Sequence, residues 1–305
     1  MKYIETVGSE MKMSEIALGC MRISKMSDKE IRKLVDTALE SGINFFDHAD
    51  IYGGGQSEAR FAEALDWSGG LREKIYIQSK CGIRKGMFDF SKEHILASVD
   101  GCLQRLRTDY LDVLLLHRPD ALVEPEEVAE AFTTLEQSGK VRHFGVSNQN
   151  PLQIELLKKS VKQRLMFNQL QLSITNAGMI DAGLNVNMEN SASVMHDGGI
   201  LDYCRLNDIT IQPWSPFQYG FFEGVFIGSA KFPELNAELD ALAEKHDVTP
   251  SAIAIAWILR HPARMQPIIG TTNPQRVDEI CRASQIWLAR EEWYRLYCAA
   301  GKKLP

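Results

Sequence analysis

Four side chains able to hold or move a proton stand at, or just past, the ends of short apolar runs. Asp47 closes INFFD (43–47), Lys80 closes IYIQSK (75–80), His117 closes LDVLLLH (111–117), and Tyr52 follows Asp47 on the next segment. A tyrosine titrating near about 10 is a poor acid at neutral pH unless a neighbouring cation favours its anion. Lys80 would supply that charge, Asp47 would balance and hold the ammonium, and His117 would orient a carbonyl oxygen by hydrogen bonding. Together the set can deliver a proton to an oxygen atom. For any one of these residues alone, a structural ion pair or a satisfied histidine is the simpler reading. Four of them at the ends of successive runs point to function. The triplet His48-Ala49-Asp50 invites a metal site, and with it a metal-dependent barrel hydrolase. Such a site needs several His or Asp ligands converging from different strands, and His117 is the one other obvious candidate, so no metal is expected.

The apolar runs alternate with helical signals. Ser27 followed by Glu30 is a capping box, and Ile31, Leu34, Val35, Ala38 and Leu39 then share one helical face until Gly42. Further helices are expected over 92–107 and 125–138, and after Asn150-Pro151, Thr249-Pro250 and Asn273-Pro274, each a capping residue followed by a first-turn proline. Strands are expected at 16–20, 43–47, 75–80, 111–117, 141–146, 165–172, 209–214 and 265–270. Eight strands, mostly apolar and separated by helices, imply a parallel sheet covered by helices and closed into a (β/α)₈ TIM barrel. An open doubly wound sheet would usually carry G-x-G-x-x-G after a strand, and Gly53-Gly54-Gly55 does not match it. In such a barrel the C-terminal strand ends form one mouth, which would gather all four side chains.

With 45% hydrophobic residues, the 305-residue chain can bury a sizeable core. No repeat, low-complexity tract or linker divides it, so 1–305 reads as one domain. The balance of 34 Lys+Arg against 40 Asp+Glu gives a net charge of −6 without long runs, which argues against nucleic acid or an anionic membrane as partner. Six cysteines lie scattered without C-x-x-C or metal-type spacing, and the N-terminal MKYIETVGSE lacks the apolar core of a signal peptide. A cytoplasmic protein with reduced thiols is expected. The stretch 176–199, rich in Asn, Gly and Met, reads as a long excursion beyond the sixth strand. With 118–124, 217–233 and the C-terminal tail, it is expected to shape substrate choice.

Three segments, GINFFDHADIYGGGQSE (42–58), LQRLRTDYLDVLLLHRPD (103–120) and GKVRHFGVSN (139–148), resemble the aldo-keto reductases. Similarity runs from SEIALG to IIGTTNPQRVDEI (268–280), nearly the whole chain. The resemblance implies a barrel with a short N-terminal β-hairpin across its bottom. It also implies reduction of an aldehyde or ketone to an alcohol by hydride from NADPH, with NADH as the alternative. The family's Asp, Tyr, Lys and His tetrad falls on Asp47, Tyr52, Lys80 and His117, with Tyr52 as general acid.

By the same resemblance, Ser147, Asn148 and Gln169 hold the nicotinamide carboxamide, with Met21 and Asp47 also touching the cofactor. Trp214 stands where many members stack a tyrosine under the nicotinamide, and Ser215 and Phe217 belong to the turn that contacts the pyrophosphate. Gly270, Thr271, Thr272 and Arg276 surround a helix start suited to a 2′-phosphate, with Glu279 at the adenine end. Two positions depart from the family: Gly270 where many members have lysine, and Ile280 where many have asparagine. Some aldo-keto-like proteins act as nucleotide-binding regulatory subunits with little turnover, and this is the alternative to an enzyme.

Overall fold

The structure, a computed structural model, describes residues 1–304. Its centre is a barrel of eight parallel strands: Ala17–Gly19, Phe45–Asp47, Tyr76–Cys81, Leu111–Leu116, Val141–Ser147, Leu165–Gln171, Thr210–Trp214 and Ile268–Ile269. They lie side by side in chain order, strand eight pairing with strand one. The seam between strands seven and eight closes through Ile211, whose N–H donates to Arg264 O and whose carbonyl accepts from Gln266 N–H, both at 2.9 Å. Each run read as a strand overlaps one, usually trimmed by a residue or more, while the third and fifth strands run one residue further, to Cys81 and Ser147.

The helices begin where the capping chemistry directs. Ser27 accepts from Glu30 N–H while the Glu30 carboxylate accepts from Ser27 N–H, opening Asp28–Glu40. Asn150, Thr249 and Asn273 cap Pro151–Lys158, Pro250–Arg260 and Pro274–Cys281. Helices Gln56–Ala64, Ile200–Leu206 and Pro233–His246, for which no capping pair is read, have no side-chain cap at their N-termini. Helices Lys92–Leu106 and Pro125–Gln137 fill the intervals read for them.

Two apolar layers result. The larger lies between strands and helices; the smaller fills the barrel with Ala17, Phe45, Val113, Leu115, Phe167 and Ile268. The strands Tyr3–Glu5 and Lys12–Ser14 pair antiparallel as an N-terminal hairpin, and its Met11 and Met13 join the inner layer as a plug. Gly145 is the close approach in this layer. A Cβ there would stand 2.7 Å from Leu115 Cδ2 and 2.8 Å from the Phe167 carbonyl oxygen, so a larger residue would push two strands apart.

The 176–199 excursion is more ordered than its composition suggests, and it is placed differently. It forms a helix over Gly178–Leu184 and a short 3₁₀ turn over Ser191–Ser193, with Ala177, Ile180 and Ala182 buried. Asp181 accepts from Tyr297 Oη at 2.8 Å and pairs with Lys302, tying the excursion to the C-terminal segment. Neither segment reaches the walls of the cavity at the mouth, so the expectation that they shape it is corrected.

Candidate active site

A cavity of about 1010 Å³ opens at the C-terminal ends of the strands. Tyr52 reaches it from a 3₁₀ turn, Tyr52–Gly55, directly beyond strand two. Gly53, Gly54 and Gly55 all have positive φ, and a Cβ on Gly53 would lie 2.7 Å from Ser24 Cβ, so this reversal requires glycine. Arg105, from Lys92–Leu106, packs over Gly55 and donates to fully buried Glu58 at 2.7 and 2.8 Å. Glu58 also accepts from Ser79 Oγ at 2.6 Å. The turn that presents Tyr52 is thereby pinned to two helices and strand three.

Lys80 lies behind the phenol with no exposed surface. Its Nζ donates to Asp47 Oδ2 at 2.8 Å, to the His48 carbonyl at 2.7 Å and to Tyr52 Oη at 3.0 Å, and lies 2.7 Å from Asp47 Oδ1 in the same ion pair. Burial alone would push the ammonium down, but Asp47 and Tyr52 together hold it above its ordinary value. For Tyr52 the balance falls the other way. Burial pushes the phenol up, and Lys80 offsets this only in part because Asp47 works against it. The cation acts in the direction read from the sequence, yet the net result is a phenol that stays protonated throughout the neutral range.

His117 stands edge-on to Tyr52, ring centroids 5.9 Å apart. Burial, with Lys80 and then Arg118 adding, pushes its imidazole well below the ordinary histidine range, so the ring is neutral near pH 7. Nδ1 is buried without a hydrogen-bond partner among the described residues. A neutral ring with its other nitrogen protonated would be a donor toward the cavity.

Beneath the tetrad lies a layer that sequence reasoning missed. Gln78 donates to Asp47 at 2.6 Å and to Gln212 at 2.9 Å; Gln169 donates to the same two side chains at 3.0 and 3.3 Å. Gln212 donates to Gln266 at 2.9 Å, and Gln266 to the Ser14 carbonyl at 2.7 Å, in the floor hairpin. A ladder of amides thus runs down the barrel axis from the carboxylate to the plug.

Most residues read as cofactor contacts line the cavity: Met21, Asp47, Ser147, Asn148, Gln169, Trp214, Ser215, Phe217, Gly270, Thr271 and Arg276. Thr272 and Glu279 do not; Thr272 faces solvent and Glu279 accepts from Gln275 Nε2 at 2.9 Å. Asn148 is already engaged, donating to Ser147 Oγ at 2.7 Å and accepting from Trp214 Nε1 at 3.1 Å. At the helix start, Asn273 Oδ1 takes the Gln275 and Arg276 N–H groups, so an anion there would meet the Arg276 guanidinium rather than those amides. The donor set fits a nicotinamide dinucleotide: Gln169 Oε1 is left for an amide N–H, Trp214 offers an aromatic surface, and the Arg276 side chain has no partner among the described residues. Cavity residues that the sequence did not single out include Ile83 and Phe88, on the small hairpin after strand three, and Phe221 and Phe222, on the hairpin after strand seven. Phe222 lies nearly parallel to Trp214 with centroids 5.9 Å apart.

His48 is fully buried, edge-on to Phe61 at 4.6 Å, and burial followed by the Lys80 charge lowers its pKa to about 3. No three His, Cys, Asp or Glu side chains converge as a metal-binding set among the described residues. No helix among them is long and apolar enough to cross a membrane.

The chain is similar over nearly its whole length to known proteins. Residues 15–298 match the sequence model described as the aldo/keto reductase family. The uncharacterized oxidoreductase YcsN of Bacillus subtilis is 36% identical, with 98% of each chain covered. The 6-dehydroglucose reductase of Agrobacterium fabrum is 33% identical at the same coverage. Among solved structures, the thermostable aldo-keto reductase Tm1743, crystallised with the inhibitor epalrestat, superposes with a TM-score of 0.78 at 25% identity, covering 98% of this chain and 100% of that one.

Proposed function

The chain belongs to the aldo/keto reductase family, and from that premise we propose that it reduces an aldehyde or ketone to the alcohol with NADPH, Tyr52 delivering the proton. The observation that carries this reading is the Tyr52 phenol, facing the cavity in front and hydrogen-bonded behind to a fully buried ammonium 3.0 Å away. When bound, the cofactor supplies a hydride to the carbonyl carbon. Oxygen that gains negative charge as this happens lies between two donors, the Tyr52 hydroxyl and the His117 ring. Tyr52 gives its proton, and Lys80 at 3.0 Å stabilises the phenolate left behind while Asp47 keeps the lysine in place.

Gln169 Oε1, with its amide nitrogen held by Asp47 and Gln212, would accept from the carboxamide, and Trp214 would support the ring. Ser147 and Asn148 would line the same slot, with Asn148 acting through its hold on the Trp214 indole. Arg276 favours the phosphorylated dinucleotide, NADPH over NADH. The reductase name borne by the Agrobacterium relative supports the direction of the reaction. We take 1–305 to act as one domain in the cytoplasm, where unpaired thiols such as buried Cys20, Cys81 and Cys102 stay reduced.

Replacement of Tyr52 by Phe keeps the ring and removes the proton. Reduction of a carbonyl panel should fall by about 10²- to 10⁴-fold while NADPH fluorescence titration gives the same affinity. Turnover equal to that of the native protein refutes the assignment.

A further inference from the structure

Arg118 follows directly on His117 and contributes to the cavity wall. Its guanidinium is half-buried, 5.6 Å from the centroid of the Trp214 ring and 5.9 Å from that of Phe221. These rings flank it without supplying a counter-charge. Among the described residues it has no hydrogen bond and no acidic partner, unlike Arg72 and Arg105, which are also largely withdrawn from solvent but each paired with a carboxylate at 2.7 to 2.8 Å. Burial draws the Arg118 pKa below the ordinary arginine value, with the Tyr52 phenol acting the other way. Among the described residues the one acidic side chain on the cavity wall, Asp47, is already held by Lys80, Gln78 and Gln169.

The cofactor of the proposed reaction does not answer this charge. Its 2′-phosphate would lie toward Arg276 and Thr271, beyond strand eight, and its pyrophosphate at the turn carrying Ser215 and Phe217 after strand seven, whereas Arg118 stands beyond strand four and directly follows His117. A half-buried guanidinium on a cavity wall, without a hydrogen-bond partner among the described residues, is suited to two adjacent oxygen atoms bearing negative charge.

Building on the reductase reading, we propose that Arg118 determines substrate choice: the carbonyl compound reduced here also carries an anionic oxygen group, carboxylate or phosphate, which pairs with Arg118 while the carbonyl oxygen lies between Tyr52 and His117. The anionic group passes through unchanged. The carbonyl π bond breaks, carbon gains the hydride and its electron pair, oxygen gains the Tyr52 proton, and the cofactor leaves oxidised. Paired charge-assisted hydrogen bonds in a half-buried setting correspond to about 10- to 100-fold in selectivity.

The test measures kcat/KM with NADPH for matched substrates: succinic semialdehyde against its amide, and glyceraldehyde 3-phosphate against glyceraldehyde. In the native protein at least one charged member should exceed its neutral partner by more than tenfold, and which pair does so separates carboxylate from phosphate. In Arg118→Gln that ratio should fall about 10- to 100-fold, mainly through KM, and Arg118→Lys should restore part of it. A native ratio near one, or one that Arg118→Gln leaves in place, overturns the proposal while turnover of the neutral aldehydes still upholds the reductase reading. A readout independent of turnover is calorimetric titration of the NADP⁺-loaded protein with succinate and with glycerol 3-phosphate. Binding that disappears in Arg118→Gln supports the anion site even if no aldehyde is reduced, and absence of binding by both anions counts against it.

Discussion

Replacing Lys80 by Met removes a charge from the most enclosed part of the site while roughly preserving side-chain volume. In the native protein the ammonium lies 3.0 Å from Tyr52 Oη, so the phenolate formed on proton transfer gains at most about 5 kcal/mol from it at an effective dielectric near 20. Losing that corresponds to a fall of roughly three to four orders of magnitude in turnover. The same substitution leaves Asp47, only 3% exposed, with two amides and no cation. Breaking a buried pair from one side costs about 3–5 kcal/mol of stability. A second variant, Asp47→Asn with Lys80→Met, separates the two effects by removing both charges. Its melting temperature should recover at least half of the loss, and its turnover should not recover. The assays are single-turnover NADPH oxidation, with circular dichroism and cofactor fluorescence to establish that each variant folds and binds. A folded, NADPH-binding Lys80→Met protein turning over within tenfold of native would refute the role given to the ammonium.

Two further substitutions test the surroundings. The Asp50 carboxyl is raised from 3.8 to about 6, first by burial and then by Glu58, with Arg105 offsetting part of this. The folded protein therefore binds more protons than the unfolded chain between about pH 4 and 6, and this group's stabilisation is lost as pH rises through that window. Asp50→Asn should flatten that slope and raise stability at pH 7 by at most on the order of 3 kcal/mol, measured by urea unfolding from pH 4 to 7; parallel curves for variant and native protein would count against it. Gln212→Leu strips Gln266 Oε1 of its donor at 2.9 Å and should cost about 1–3 kcal/mol in thermal or urea unfolding, an effect that no change in melting behaviour would disprove.

Much of the barrel was legible because its signals are local. Ser27 with Glu30, and proline after Asn150, Thr249 or Asn273, mark helix starts by chemistry confined to four residues. Apolar runs ended by Asp47, Lys80 and His117 mark strands and mouth together, and the structure does bring these three residues to Tyr52. The glutamine ladder was not legible. Gln78, Gln169, Gln212 and Gln266 come from four different parts of the chain, and only barrel closure makes them neighbours. Arg118 escaped notice for a different reason: an arginine beside a histidine is ordinary until it is seen on the cavity wall, half-buried and without a carboxylate partner among the described residues. The 176–199 excursion was misplaced because composition reports polarity, not the Asp181 bonds to Tyr297 and Lys302 that draw it away from the mouth.

The plugged barrel has a consequence for the timing of the cycle. Behind Tyr52 the packing is continuous, from a lysine with no exposed surface through the amide ladder to Met13, itself fully buried over the floor. In the reaction proposed above, with cofactor and substrate filling the mouth, the proton given up by Tyr52 leaves it and the buried Lys80 ammonium behind it one proton short. Once the phenol is discharged, the replacement must arrive from solvent through the opening by which the alcohol departs. Recharging of the acid is thereby tied to product release, and a slow-leaving alcohol would keep the site both occupied and uncharged.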